Sequence, residues 1–329
     1  TWLGAGLCSL GRLPLRHRRN ALTRILAFPG LRPLGEHIAA LSGTKTLKID
    51  IHRFPDGESL VTLPDDLGGQ DVAILATLRD PNPLALPLRF AAETARELGA
   101  SHVGLIAPYL AYMRQDRRFA EGQAISAPVF ARFLEESFDW LVTADPHLHR
   151  IQSLGELFRI PARRIETASL LADWIAANVP DAVLLGPDSE SRQWVAEVAR
   201  LAGRPFEVLE KRRSGDRSVE VSIPHGEALL AGTPVILDDI ASSGRTLIQA
   251  IERLLAAGTR PPVCLVIHAV FAGDAHADIL AAGAAGVVTT DSIPHASNAI
   301  SLAQALADAC RNLQAGNPST RRAAARTTR

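Results

Sequence analysis

TPVILDDIASSGRTLIQAI, Thr233 to Ile251, compresses a strand, a turn and a helix into nineteen residues. The apolar run Pro234 to Leu237 reads as a buried strand that delivers two adjacent carboxylates, Asp238 and Asp239. A loop of small residues follows, Ala241 to Gly244, and an amphipathic helix begins near Thr246. Backbone N–H groups of such a loop and helix N-terminus can enclose a phosphate, with further donors from the hydroxyls of Ser242, Ser243 and Thr246 and the guanidinium of Arg245. Gly244 allows close approach of the backbone. Two carboxylates beside that site would repel a phosphate unless they hold something else, and vicinal sugar hydroxyls are donors that answer the geometry. Phosphate plus diol implies a pentose phosphate. The competing reading is structural: the aspartates end a strand and Ser242 or Ser243 caps the helix.

The same grammar runs through the chain from Ile25 onward. Short aliphatic runs (ILAF, DVAILAT, HVGLIAP, FDWLVTAD, AVLLGPD, PVCLVIHAVF, GVVTTD) alternate with helical patterns, among them Leu34 to Leu41 and Leu84 to Leu98. Continuous apolar strands alternating with helices predict an α/β fold of mainly parallel sheets covered on both faces. A break near Ser153 to Arg164 divides it into two similar halves, residues 25–155 and 156–297, with a last helix, 298–313, expected to pack back on the first half. Ligands of such sheets sit beyond the carboxyl ends of the strands. The strand-ending residues Asp145, Asp188, Asp238 and Asp239 are therefore the first candidates for a site.

With 329 residues, 47% hydrophobic and 5% aromatic, the chain has the material for two aliphatic cores. Its zero net charge conceals an asymmetry. Residues 1–24 carry five arginines and 311–329 five more, with no acid in either, which leaves a body of 25 basic and 35 acidic residues. A body near −10 argues against a nucleic-acid surface, and the ends 1–24 and 314–329 read as disordered basic extensions. The first segment is Arg-rich and acid-free, as transit peptides are, but its charges follow its apolar part, the wrong order for a secretory signal. Cys8, Cys264 and Cys310 show no ligand or disulfide spacing, and no apolar run approaches membrane-spanning length; a cytoplasmic protein is expected.

Several segments together resemble the ribose-phosphate pyrophosphokinase family within the type I phosphoribosyltransferase superfamily, over roughly Ile25 to Leu313. They are RFPDGES (Arg53–Ser59), PYLAYMRQDRRF (Pro108–Phe119), TADPHLHRIQ (Thr143–Gln152), GPDSES (Gly186–Ser191), EKRRSGD (Glu210–Asp216) and the Val235–Thr246 motif. The resemblance implies two tandem phosphoribosyltransferase-like domains and transfer of pyrophosphate from ATP, with Mg²⁺, to the C1 hydroxyl of ribose 5-phosphate. It implies that Phe54, Asp56 and Glu58 reach an adenine site from a neighbouring subunit of a dimer-based homo-oligomer, hexameric in the family. Arg114 and Gln115 would hold the nucleotide, His147 and Asp188 the metal, with His149 a weaker metal candidate. His147, Lys211 and Arg213 would act in catalysis, the last two from a mobile flap.

Some positions depart from the family pattern: Ser242 stands where an acid is usual, Glu190 and Ser191 where a Gly-Gly pair is usual, and Arg150 where glutamine is usual. The alternatives are a non-catalytic regulatory homologue, opposed by the retained Lys211, Arg213, His147 and aspartate pair, and a phosphoribosyltransferase, opposed by the two-domain length and RFPDGES.

Overall fold

The computed structural model describes residues 22, 24–64, 66–148, 150–188, 191–214, 218–222 and 227–316, with side chains for all of these except 210–228 and 314–316. Residues 1–21 and 317–329, most of the expected basic extensions, and His149 lie outside the described residues.

The first half runs β1 (Arg24–Ala27), α1 (Arg32–Ser42), β2 (Lys45–Lys48), β3 (Asp50–Arg53), β4 (Ser59–Thr62), β5 (Asp71–Leu75), α2 (Asn82–Glu97), β6 (His102–Ala107), α3 (Ser126–Glu135), β7 (Trp140–Ala144) and β8 (Ala162–Ile165). The second runs α4 (Ala168–Asn178), β9 (Ala182–Gly186), α5 (Arg192–Ala202), β10 (Phe206–Val208), β11 (Glu210–Ser214), β12 (Ser218–Ser222), α6 (Glu227–Ala231), β13 (Thr233–Ile240), α7 (Arg245–Ala256), β14 (Val263–His268), α8 (Ala275–Ala281), β15 (Gly286–Thr290) and β16 (Asn298–Ile300), before the final α9 (Ala303–Gly316). Each half holds a six-stranded sheet, in the orders β2-β1-β5-β6-β7-β8 and β10-β9-β13-β14-β15-β16. Every pairing in both sheets is parallel.

Counted within its own half, each sheet has the order 2-1-3-4-5-6. Each also carries one antiparallel hairpin directly after its second strand: β3–β4 in the first half and β11–β12 in the second. The halves are thus two copies of one plan. Central strands such as β5, β6, β9 and β14 are almost wholly buried, as continuous apolar runs covered on both faces should be.

Three expectations need correction. The first sheet extends past the expected boundary at residue 155, because β8 adds at its edge beside β7. Its sequence ARRI places two exposed arginines between half-buried Ala162 and buried Ile165, so an edge strand reads as a charged loop. Residues 298–300 form edge strand β16 on β15, and the last helix starts only at Ala303 and continues to Gly316. That helix lies against α1, β7 and β8 of the first half. The two cores, finally, do not follow the halves. One cluster runs from the first sheet into one layer of the second half, and a smaller one lies under α4 and α5 on the opposite face of the second sheet.

Among the described residues, no helix is long and apolar enough to cross a membrane.

Candidate active site

Strand β13 lies between β9 and β14, and the step in strand order between β10, β9 and β13 makes this the crossing point where parallel sheets bind ligands. Asp238 and Asp239 close β13, and Asp188 follows the neighbouring β9 by two residues. From the other half, the turn Asp145–Pro146–His147 leaves the end of β7. These ends meet around a cavity of about 780 Å³. Its walls include Arg114, His147, Asp188, Asp238, Asp239 and Thr246 among the residues singled out from sequence.

The two halves touch directly in this cavity: Nδ1 of His147 is hydrogen-bonded to Oδ2 of Asp239. A carboxylate accepts, so Nδ1 carries the proton and Nε2 becomes the nitrogen suited to a ligand. Burial presses Asp239 upward, but the hydrogen bond and charge of His147 outweigh it and hold this carboxyl below its ordinary 3.8. Asp238 behaves oppositely. Burial first, then the adjacent charge of Asp239 and more weakly that of Asp188, push it well above 3.8. The two carboxyls thus shift in opposite directions, as expected of two acids crowded at one strand end.

Asp145 lies against the cavity but its carboxylate is fully engaged. Oδ1 accepts from Arg164 Nε at 2.8 Å and Nη2 at 2.7 Å; Oδ2 accepts from Thr167 N at 2.7 Å and Oγ1 at 2.6 Å. Its backbone has φ +24°.

The loop after β13 takes the form the sequence implies. Gly244, at φ +71°, precedes α7, whose N-terminus has no side-chain cap, and an added Cβ would press on Ile279 at 3.0 Å. Ser242, Ser243 and Arg245 stand in this loop and first turn beside Thr246 but are not cavity walls. Gln115 lines a smaller hollow of about 60 Å³ next to Arg114 and His147, and accepts a hydrogen bond from Ser126 Oγ at 2.6 Å. Asp188 accepts from Ser191 N at 3.1 Å, so it also organises the entry to α5.

One group stays apart from the cavity of its own chain. Phe54, Asp56 and Glu58 occupy the turn of the β3–β4 hairpin; Phe54 is exposed, with its ring edge-on to His52 at 4.7 Å, and Asp56 accepts from Glu58 N at 3.1 Å. Lys211 and Arg213 lie on β11, opposite Val221 and Val219 of β12, so the charged stretch is a hairpin.

Sequence reading did not assign roles to Arg117, Arg164, Glu166, Trp194 and Glu197, which also line the cavity, nor to Arg150, which reaches Asp116 at 3.2 Å. Arg117 was within reach of it, lying in the quoted RQDRR run; Trp194 and Glu197 are ordinary positions of an amphipathic helix.

Among the described residues no group of three or more His, Cys, Asp or Glu side chains forms a metal cage. The donors present nonetheless suit magnesium, which is held by one or two carboxylates together with substrate phosphates. The His147–Asp239 hydrogen bond is also the arrangement by which a carboxylate orients a ligating imidazole.

Comparison with known proteins agrees with this layout. Residues 23–137 match the family model for the N-terminal domain of ribose phosphate pyrophosphokinase, and residues 153–300 that for the phosphoribosyl transferase domain. The ribose-phosphate pyrophosphokinase of Methanopyrus kandleri is 33% identical over 284 residues, 85% of this chain and 96% of the relative. That of Halobacterium salinarum is 32% identical over 292 residues, 87% of this chain and 99% of the relative. The crystal structure of phosphoribosylpyrophosphate synthetase from Mycobacterium smegmatis superposes with a TM-score of 0.76 at 23% identity, covering 90% of this chain and all of that one, and so shares the fold. The chain belongs to the ribose-phosphate pyrophosphokinase family, enzymes that pass the pyrophosphate of ATP to ribose 5-phosphate.

Proposed function

We propose that the cavity between the halves is the reaction chamber and that its residues divide the work as follows. Asp238 and Asp239 hold the ribose diol, and the loop and helix start Ser242, Ser243, Gly244, Arg245 and Thr246 hold the 5-phosphate. The C1 hydroxyl is thereby aimed at the β-phosphorus of ATP. Attack in line forms a bond from the C1 oxygen to the β-phosphorus while the bond from the β-phosphorus to the α-phosphate oxygen breaks; AMP leaves and the hydroxyl proton passes to solvent. Arg114 and Gln115 hold the nucleotide, a guanidinium being suited to phosphate oxygens or to the base face. Lys211 and Arg213 arrive on the β11–β12 hairpin to meet charge as it moves onto the leaving AMP.

Magnesium, held by Nε2 of His147 and the carboxylate of Asp188, would supply charge neutralisation to the polyphosphate. The single observation that carries the reading is the pairing of a diol grip and a phosphate loop on β13 with His147 from the other half.

Phe54, Asp56 and Glu58 complete the adenine site of a second copy of the chain. Their place on an exposed hairpin away from their own cavity supports this, and with it a homo-oligomer built on dimers. The free, buried thiols of Cys264 and Cys310, both pushed up to about 12 chiefly by burial, suit a reducing cytoplasm.

Incubation with Mg²⁺, ATP and ribose 5-phosphate tests the assignment. AMP and a diphosphorylated sugar are expected. Production of ADP rejects it, and no turnover with intact binding favours a regulatory homologue.

A further inference from the structure

Tyr109 and His268 are counterparts in the two copies of the fold. In the first half Leu78 N donates to Tyr109 O at 3.1 Å; in the second Ala241 N donates to His268 O at 3.3 Å. Each bond joins the segment after the third sheet strand to the end of the fourth, His268 being the last residue of β14 and Tyr109 lying two residues past β6. Across the seam the two rings meet, with centroids 5.0 Å apart and planes at 60°.

His268 is buried, at 1% exposure, and both ring nitrogens are used. Nε2 faces the carbonyl oxygen of Asp145 at 3.3 Å, and Nδ1 faces Ser292 Oγ at 2.9 Å. A carbonyl only accepts, so Nε2 carries the proton and Nδ1 is the acceptor, sharing the one Ser292 hydroxyl hydrogen with the carbonyl oxygen of Ile267 at 3.1 Å. This is the neutral ring, in keeping with burial, which holds the imidazole below its ordinary value.

The carbonyl that His268 engages belongs to a strained residue. A non-glycine backbone at φ +24° costs on the order of 1–3 kcal/mol and persists only where its surroundings over-determine it. Arg164 and Thr167 clamp the Asp145 carboxylate, and His268 engages its main chain. Two residues later comes His147. On the other side, the His268 carbonyl accepts from Ala241, two residues after Asp239. One residue is therefore tied through its side chain to the segment carrying His147 and through its backbone to the segment carrying Asp239. Its ring also backs Tyr109, which lines the smaller hollow together with Arg114.

We propose that His268 is a positioning residue: bridging the halves through Asp145 and Ala241, it sets where His147 stands relative to the Asp238–Asp239 pair, without touching substrate. The proposal rests on the roles given above to His147 and the aspartates.

Three variants test it. In His268→Gln the amide nitrogen extends to the place of Nε2 and can donate to Asp145. In His268→Asn the amide reaches only the place of Nδ1, so Ser292 keeps a partner and Asp145 does not. His268→Ala removes both. Misplacement of a reacting group by about 1 Å costs on the order of 100-fold in rate. AMP formation is thus expected to fall by roughly 10- to 100-fold in kcat for H268N and H268A, and to recover to within about threefold in H268Q. KM for ribose 5-phosphate should hold within about threefold throughout, because Ala241 is tied to the backbone of residue 268. A wild-type kcat in H268N, or H268Q no better than H268N, overturns the proposal.

A second readout needs no turnover. In ¹⁵N-histidine spectra of the nucleotide-free protein, the His147 ring nitrogens, assigned by their loss in His147→Gln, should keep their shifts in H268Q and move in H268N. Identical shifts in both variants overturn the proposal. If the wild-type protein forms no AMP, the reaction assignment fails, whereas the nitrogen shifts still decide the positioning role.

Discussion

His147 and Asp239 are hydrogen-bonded partners that come from different halves of the chain, ninety-two residues apart. Their bond couples the group proposed for the metal to the group proposed for the diol. Residues acting as a unit lose function together, so His147→Gln and Asp239→Asn should each lower kcat by about 100-fold or more, and the double variant should cost little more than the worse single one. A double-mutant cycle on AMP formation measures this; additive losses would mean the two act separately.

The elevated Asp238 gives the ligand-free protein a pH signature. A folded pKa raised above the unfolded one adds stability that is complete below 3.8 and is lost as pH rises through the folded value. The melting temperature of the ligand-free wild type, taken relative to that of Asp238→Asn, should therefore fall as pH rises above 3.8. A melting profile unchanged by the substitution contradicts the assignment.

Lys211 and Arg213 sit on the β11–β12 hairpin, and the contacts proposed for them form as charge moves onto the leaving AMP. Replacing either with Ala should lower kcat by about 100-fold while shifting KM for ribose 5-phosphate by no more than about threefold. Steady-state kinetics separates the two parameters, and turnover at the wild-type rate would remove both residues from the chemistry.

Packing provides a stability test far from the cavity. On β6, Gly104 faces the Trp140 ring of β7, and an added Cβ would lie 1.9 Å from the indole. The indole cannot retreat from a core of Ile and Leu, so Gly104→Ala should destabilise by about 3 kcal/mol, read as a lower midpoint in urea denaturation. An unchanged midpoint would show that Trp140 has another rotamer available.

Much of this was legible because the relevant signals are local. The strand, aspartate pair, small loop and helix of Thr233–Ile251 lie within one sweep of the chain, and the buried central strands announce themselves as apolar runs. Edge strands do not. β8 carries two arginines because one of its sides meets water, and β16 has only three residues, so both look like loop or helix. The seam is less visible still. Tyr109 and His268 sit 159 positions apart, and nothing around either suggests that the rings touch. Trp194 and Glu197 were hidden for a related reason, since only the approach of the other half makes their face of α5 a cavity wall.

Matching Leu78 with Ala241 sets Thr77 and Arg79 in the first half against Ile240 and Ser242 in the second. There the correspondence of use ends. Thr77 Oγ1 donates to Ser292 O at 2.8 Å, and Arg79 donates to Val270 O at 2.8 Å and Phe271 O at 2.6 Å. The segment proposed to receive ligand in one copy of the plan is, in the other, a bolt driven into its twin. Doubling the fold has not doubled the chamber; it yields a vessel in two pieces and the fastening that keeps them aligned.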